Sequence, residues 1–232
     1  MIVDLREKVA RVEERIAAAC QRAGRRREDV RLVAVSKTHP AEMIRAAHQA
    51  GLRDFGENRV QEAQAKRPAL ADLDATWHLI GHLQSNKARP ARELFQWVHS
   101  LDSMKLAERL AQVTPPGTPR LPVLIEVNLG GESSKAGVQA EDVAKLAEQV
   151  AALASLELRG LMVIPPFLAN PEDVRPYFQQ LAALARDIAS RNLPNVSMRE
   201  LSMGMSHDFE VAIEEGATVV RVGTAIFGER ER

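Results

Sequence analysis

The chain has almost no means of cross-linking itself. It carries one cysteine, Cys20, in 232 residues, so no intramolecular disulfide can form. Cys20 sits among alanines in a helical pattern and reads as a small packed residue. Excess charge is also missing. Lys+Arg and Asp+Glu stand at 31 each, so no net field draws nucleic acid or an anionic membrane. The basic run Arg25-Arg26-Arg27, beside Gly24, reads as a solvated loop. No apolar stretch approaches the roughly 18 residues of a membrane span. The first residues, Met1-Ile2-Val3-Asp4-Leu5-Arg6-Glu7-Lys8, are too charged for a signal peptide. The expected compartment is the cytoplasm, with neither nucleic acid nor membrane as partner.

Several chemical signatures are absent too. No G-x-G-x-x-G follows the first strand, which argues against dinucleotide binding. No H-E-x-x-H and no cysteine cluster is present, so no metal is expected. His78 and His82 are four apart, but Gly81 and the strand context keep them off one helical face. Gly130-Gly131-Glu132-Ser133-Ser134-Lys135 lacks the nucleotide-loop spacing. His207-Asp208 beside Ser206 lacks the G-x-S-x-G of a hydrolase elbow.

What the chain does have is a repeating grammar. Leu5, Val9, Val12, Ile16 and Ala19 recur at three- and four-residue steps, which predicts an N-terminal helix stopped near Gly24. Short apolar runs then alternate with helical stretches. Strands are expected at 30–36, 53–56, 76–81, 97–101, 122–129, 156–164, 198–203 and 218–222. Helices are expected at about 41–50, 59–70, after Asn86, after a cap at Asp102 or Ser103, and at about 140–153, 172–191 and 208–215. Near-continuous apolar strands with crossover helices imply a parallel sheet covered on its outer face. Eight units in this length predict an α/β fold, a single (β/α)8 TIM barrel with an extra N-terminal helix, in one domain spanning residues 1–232.

In such a barrel functional groups gather at the C-terminal strand ends. Lys37 directly follows Leu32-Val33-Ala34-Val35-Ser36, a strand too apolar to be exposed. Burial there favours the neutral amine, the form that condenses with an aldehyde. Phosphate sites form at the loops after strands seven and eight. Here those loops are Ser202-Met203-Gly204-Met205-Ser206 and Gly223-Thr224. Barrel closure makes strand eight a neighbour of strand one, so the amine and the anion cradle face each other. A phosphorylated aldehyde satisfies both. Pyridoxal 5′-phosphate (PLP) and sugar-phosphate substrates are the two classes that qualify. Arg221, two residues before Gly223 on the same strand face, could donate to a pyridine nitrogen without protonating it. Its other reading is an ion pair with Glu200 or another barrel carboxylate.

The chain closely resembles the YggS/PROSC family of pyridoxal phosphate homeostasis proteins, which share the fold type III barrel of the alanine racemase N-terminal domain. The resemblance runs through Val33-Ala34-Val35-Ser36-Lys37-Thr38, Phe55-Gly56-Glu57-Asn58-Arg59-Val60-Gln61-Glu62 and Trp77 to Lys87. It continues through Glu126-Val127-Asn128, Lys135-Ala136-Gly137, Arg159-Gly160-Leu161-Met162, Leu201 to Ser206 with Asp208, and Arg221 to Gly228. It implies PLP held as a Schiff base on Lys37, with Ser206, Gly223 and Thr224 around the phosphate and Arg221 near the pyridine nitrogen. It implies Asn58, Ser202 and Met203 as further pocket residues, and Lys135 near the cofactor edge. The expected function is intracellular PLP homeostasis, by buffering or by delivery to apo PLP-dependent enzymes. The alternative is a PLP-dependent enzyme such as a slow amino-acid racemase or lyase. A racemase needs a second base, a tyrosine from a separate β-domain. The chain ends at Arg232, and its one tyrosine, Tyr177, falls in the helix after strand six. A carrier without that base, and a monomer, is therefore expected.

Overall fold

The computed structural model describes residues 2–130 and 136–229. In chain order the elements are α1 (Ile2–Arg22), β1 (Arg31–Val35), α2 (Ala41–Gln49), β2 (Asp54–Glu57), α3 (Val60–Lys66), β3 (Thr76–Leu79), α4 (Ala88–Leu94), β4 (Trp97–Leu101) and α5 (Met104–Val113). They continue with β5 (Leu121–Asn128), β6 (Val138–Gln139), α6 (Val143–Ala151), β7 (Leu156–Val163), α7 (Arg175–Ser190), β8 (Val196–Met205), α8 (Phe209–Glu214), β9 (Val219–Val222) and α9 (Thr224–Phe227). The strands run in the order β4-β3-β2-β1-β9-β8-β7-β5, and β4 pairs β5 to close the ring. Every pairing is parallel. The result is the expected (β/α)8 barrel, with the two-residue β6 added beside β5.

Strand periodicity of two sorts side chains between two cores. Leu32, Ala34, Phe55, Trp77, Leu79, Val98, Ile125, Leu161, Val220 and Val222 join the helix side chains in one large cluster outside the strands. Each large side chain fully buried there contributes about 1.5–3 kcal/mol. Inside the barrel, among the described residues, Trp97, Leu124 and Met162 form a small apolar cluster. Val33, Val35 and Val219 also face inward, and polar side chains such as His78, His99, Glu126, Ser202 and Arg221 occupy much of the remainder. At the floor, the guanidinium groups of Arg31 and Arg159 each lie 5.0 Å from the Trp97 ring. β7 and β8 approach so closely at Gly160 that a Cβ there would sit 1.7 Å from the Glu200 carbonyl oxygen. Gly160→Ala would have to part the two strands.

The N-terminal helix buries Leu5, Val9, Val12, Ile16 and Ala19, as its spacing requires. It packs on α8 and α9, and Arg15 bonds Glu210 at 3.0 Å. The basic run after it is not a loose loop. Arg25 donates to the Ile213 carbonyl at 2.9 Å, and Arg27 pairs with Glu13 at 2.6 Å. The helix expected over 59–70 breaks after Lys66 into a 3-10 turn, Arg67–Leu70, because Pro68 has no N–H to continue it. Ser103 caps α5, accepting from the Leu106 N–H, while Asp102 turns to His82 at 3.0 Å. Among the described residues no helix is long and apolar enough to cross a membrane.

Candidate functional site

The end of β1 is built to hold one residue still. Leu32 and Ala34 face the helices and Val33 and Val35 face inward, and Lys37 follows two residues past the C-terminal end of β1. Lys37 is half-buried. Before it, Ser36 is fully buried. Its N–H donates to the Gly56 carbonyl at 3.0 Å, and its hydroxyl donates to Glu57 Oε1 at 2.7 Å. Its carbonyl accepts from Lys66 Nζ at 2.9 Å. The same ammonium reaches Glu57 at 3.0 Å and Glu62 at 2.6 Å. After Lys37, Thr38 has φ +68°, a left-handed backbone costly for a β-branched residue, and its N–H donates to Glu62. Burial raises the Glu57 carboxyl, against the Ser36 hydroxyl and Lys66. Burial works the same way on Glu62, but Lys66 and the Thr38 N–H outweigh it and hold that carboxyl below its usual range.

Across the seam stand β9 and β8. β1 pairs β9 with Val33 opposite Arg221 and Ala34 opposite Val222. Gly223 follows, and a Cβ there would lie 3.3 Å from Val35 Cβ. Ser206 Oγ accepts the N–H groups of Gly223 at 3.2 Å and Ala225 at 3.3 Å, which ties the two loops together beside an exposed Thr224. Gly204, at φ +90°, makes the turn into this loop, where a Cβ would lie 2.6 Å from Ala212 Cβ. Arg221 is buried beneath. It donates from Nη1 to Ser202 Oγ at 2.7 Å and from Nη2 to the Val163 carbonyl at 2.8 Å. Burial lowers its pKa to about 10, so it remains a cation at neutral pH. Glu200, the alternative partner, instead accepts from Thr218 at 2.7 Å.

The family model described as "Alanine racemase, N-terminal domain" matches residues 8–231. The chain belongs to that family. Within it, the chain is similar to a protein named pyridoxal phosphate homeostasis protein from Aquifex aeolicus, 51% identical over 97% of this chain and 98% of the relative. It is as similar to the protein of the same name from Pseudomonas aeruginosa, 52% identical over 97% and 95%. Among solved structures it resembles PipY of Synechococcus elongatus with PLP bound, at 42% identity and a TM-score of 0.85, covering 97% of this chain and 100% of that one.

In this family member the residues singled out by sequence do not all converge. Lys37, Ser206, Arg221, Gly223 and Thr224 flank one seam. Ser202 lies under Arg221, fully buried, and accepts from its Nη1. Met203 is buried in the outer cluster, because it shares the outward face with Leu201. Asn58 lies on the rim toward β3, lining a cleft of about 400 Å³ with Arg59, Gln61, His82, Gln84 and Lys87. Lys135 and residues 131–134 lie outside the described residues. His78 and His82 are separated as expected, the first inside the barrel and the second on the rim.

Sequence reasoning assigned no role to Lys66, Glu62 or Glu57, which immobilise the Lys37 segment. The i,i+4 spacing of Glu62 and Lys66 was the available signal. It also passed over Glu126. That residue is 7% exposed, and its Oε2 finds no hydrogen-bond partner among the described residues. Burial pushes its carboxyl up to about 7, with Arg221 pulling the other way. Glu126 shares a register layer with Met162 and Ser202, so it points into the barrel near Arg221.

Proposed function

We propose that this chain holds PLP covalently through Lys37 and serves intracellular PLP homeostasis, buffering the cofactor or delivering it to apo PLP-dependent enzymes. The observation that carries this reading is the seam. An immobilised lysine segment ends β1, and a hydroxyl-and-amide cluster built on Ser206, Gly223 and Ala225 ends β8 and β9 beside it. A phosphorylated aldehyde is the chemistry that engages both halves.

The residues fit the group. Lys37 Nζ, once neutral, would condense with the aldehyde carbon and release one water. Ser206 and Thr224 would bind the phosphate, with the N–H groups of Gly223 and Ala225, which donate to Ser206 Oγ in the ligand-free protein, turning to it. Arg221 would face the ring nitrogen and donate to it. Because Arg221 keeps its proton at neutral pH, it would leave the ring unprotonated. PLP supplies an electron sink, and that sink is strong only when its ring is protonated. Arg221 therefore favours holding over carbanion chemistry. Asn58 would bound the site from the β2 rim, Ser202 would support Arg221, and Met203 would contribute packing.

The carrier reading is favoured over a racemase by Tyr177. The chain's one tyrosine lies on α7, packed against the helix-side cluster outside the strands. We also take the working state to be a cytoplasmic monomer; size-exclusion chromatography with light scattering tests the second point. The test of function uses the purified protein with PLP and a panel of amino acids in D₂O. Reducible PLP retention through Lys37, with no α-hydrogen exchange above free PLP, is the expected outcome. Turnover at ordinary enzyme rates would contradict the carrier reading.

A further inference from the structure

A single file of hydrogen bonds crosses the barrel interior from the mouth to the floor. Arg221 Nη1 donates to Ser202 Oγ at 2.7 Å, and that oxygen lies 2.9 Å from His99 Nδ1. His99 Nε2 lies 3.0 Å from His78 Nδ1, and His78 Nε2 lies 2.8 Å from Asp54 Oδ1. Ser202, His99 and His78 are each fully buried. Asp54 is part-exposed and stands 3.6 Å from Arg31 at the floor. The four links join β9, β8, β4, β3 and β2, so no single element carries the file.

Proton counting gives the file one direction. Burial lowers the pKa of both histidines, against the Asp54 bond for His78 and further depressed by His78 and Arg221 for His99, so both are neutral. A neutral His78 facing a carboxylate must carry its proton on Nε2. Its Nδ1 is then an acceptor, and His99 must donate from Nε2. His99 Nδ1 is an acceptor in turn, and among the described residues it takes the Ser202 hydroxyl proton. Ser202 thereby turns a lone pair to Arg221.

We propose that His99, backed by His78 and Asp54, is a positioning residue for Arg221 and acts through Ser202. With Nη1 held by Ser202 and Nη2 by the Val163 carbonyl, the guanidinium plane is fixed. Its remaining N–H groups keep one aim at the mouth. Without His99 the Ser202 hydroxyl is free to rotate and compete, and the aim is lost. This inference rests on the PLP reading for its consequence, but the file itself exists in the ligand-free protein.

The test has one arm for each. Long-range ¹H–¹⁵N spectra of the ligand-free protein at neutral pH should show His78 and His99 as neutral Nε2–H tautomers. An Nδ1–H tautomer for either would overturn the file, whatever PLP does. For the consequence, release of bound PLP is followed in His99→Leu, His99→Asn and Ser202→Ala. Losing one hydrogen bond to a charged group corresponds to about a tenfold faster release, expected in His99→Leu and Ser202→Ala and not additive in the double variant. His99→Asn, whose side-chain carbonyl can accept from Ser202, should return to about wild type, since it restores that single bond. The visible band of bound PLP should move in His99→Leu and recover in His99→Asn. Unchanged release and spectrum in a folded Ser202→Ala protein would overturn the positioning role. If the wild type retains no PLP, the functional reading fails while the tautomer result still decides the file.

Discussion

The two sides of the seam are supported in opposite ways. The Lys37 side is held from outside the strands by charges: Lys66 bridges Glu57 and Glu62 and grips the Ser36 carbonyl. The Arg221 side is held from inside the barrel by neutral groups: a serine, two imidazoles and a carbonyl. The contrast follows from what each side must present. Lys37 has to be held in place, and the Lys66 ammonium does this by gripping the Ser36 carbonyl and two carboxylates. Arg221 has to stay cationic and aimed, so a carboxylate bonded to it would compete with any ligand. Charged support is strong but fragile when halved, whereas neutral support costs less to cut.

The comparison can be broken by removing one member at a time. Lys66→Ala leaves Glu57, fully buried, without its counter-charge and should cost about 3–5 kcal/mol in urea unfolding. Adding Glu57→Gln should recover much of that loss. If Lys66→Ala cost no more than Ser202→Ala, the distinction between the two sides would disappear.

Glu126 offers a pH-dependent test on the Arg221 side. Its carboxyl is raised from 4.5 to about 7 in the folded protein, so between those values the folded state keeps a proton that the unfolded state has released. Below about 4.5 both states are protonated and burial carries no charge penalty. Stability falls as pH rises from about 4.5 to about 7 and levels off once the folded carboxyl has ionised. Glu126→Gln should therefore match wild type near pH 4.5 and exceed it by about 3 kcal/mol at pH 8. Equal stabilities at both pH values would remove Glu126 as a strained group.

Ser202→Ala leaves the Arg221 Nη1–H and His99 Nδ1 unmet and should cost about 1–3 kcal/mol. The smallest effect belongs to Thr38→Gly. It relieves the φ +68° backbone at the cost of a more flexible unfolded chain, for a net gain of about 0.5–1 kcal/mol. The same change should weaken PLP retention, because the Lys37 segment loses its rigidity. Stability gained with retention unchanged would show that the strain has no part in holding Lys37.

These two supports also mark the limit of what the sequence disclosed. The strands were legible because their outward faces are apolar, and the seam was legible because a closed barrel makes its last strand a neighbour of its first. The Pro68 break was written in the chain and could have been read. The file from Asp54 to Arg221 could not. His78 and His99 sit in apolar runs, and nothing local says whether they face helices or the barrel axis. Once Trp77 and Leu79 are known to face outward, His78 must face inward; the same holds for His99 beside Val98. Their bonding needs the register of five strands, with partners up to 103 positions apart. The outward face of the Met203 side chain was hidden for the same reason, since its motif fixes the loop but not the face.

The central claim is that Lys37 is the amine that holds PLP, and borohydride reduction followed by peptide mass mapping tests it most directly. The expected result is a single pyridoxyl adduct on Lys37, with a visible absorption band that Lys37→Ala abolishes while the protein stays folded. An adduct on another lysine, or a Lys37→Ala protein that keeps the band, would contradict it.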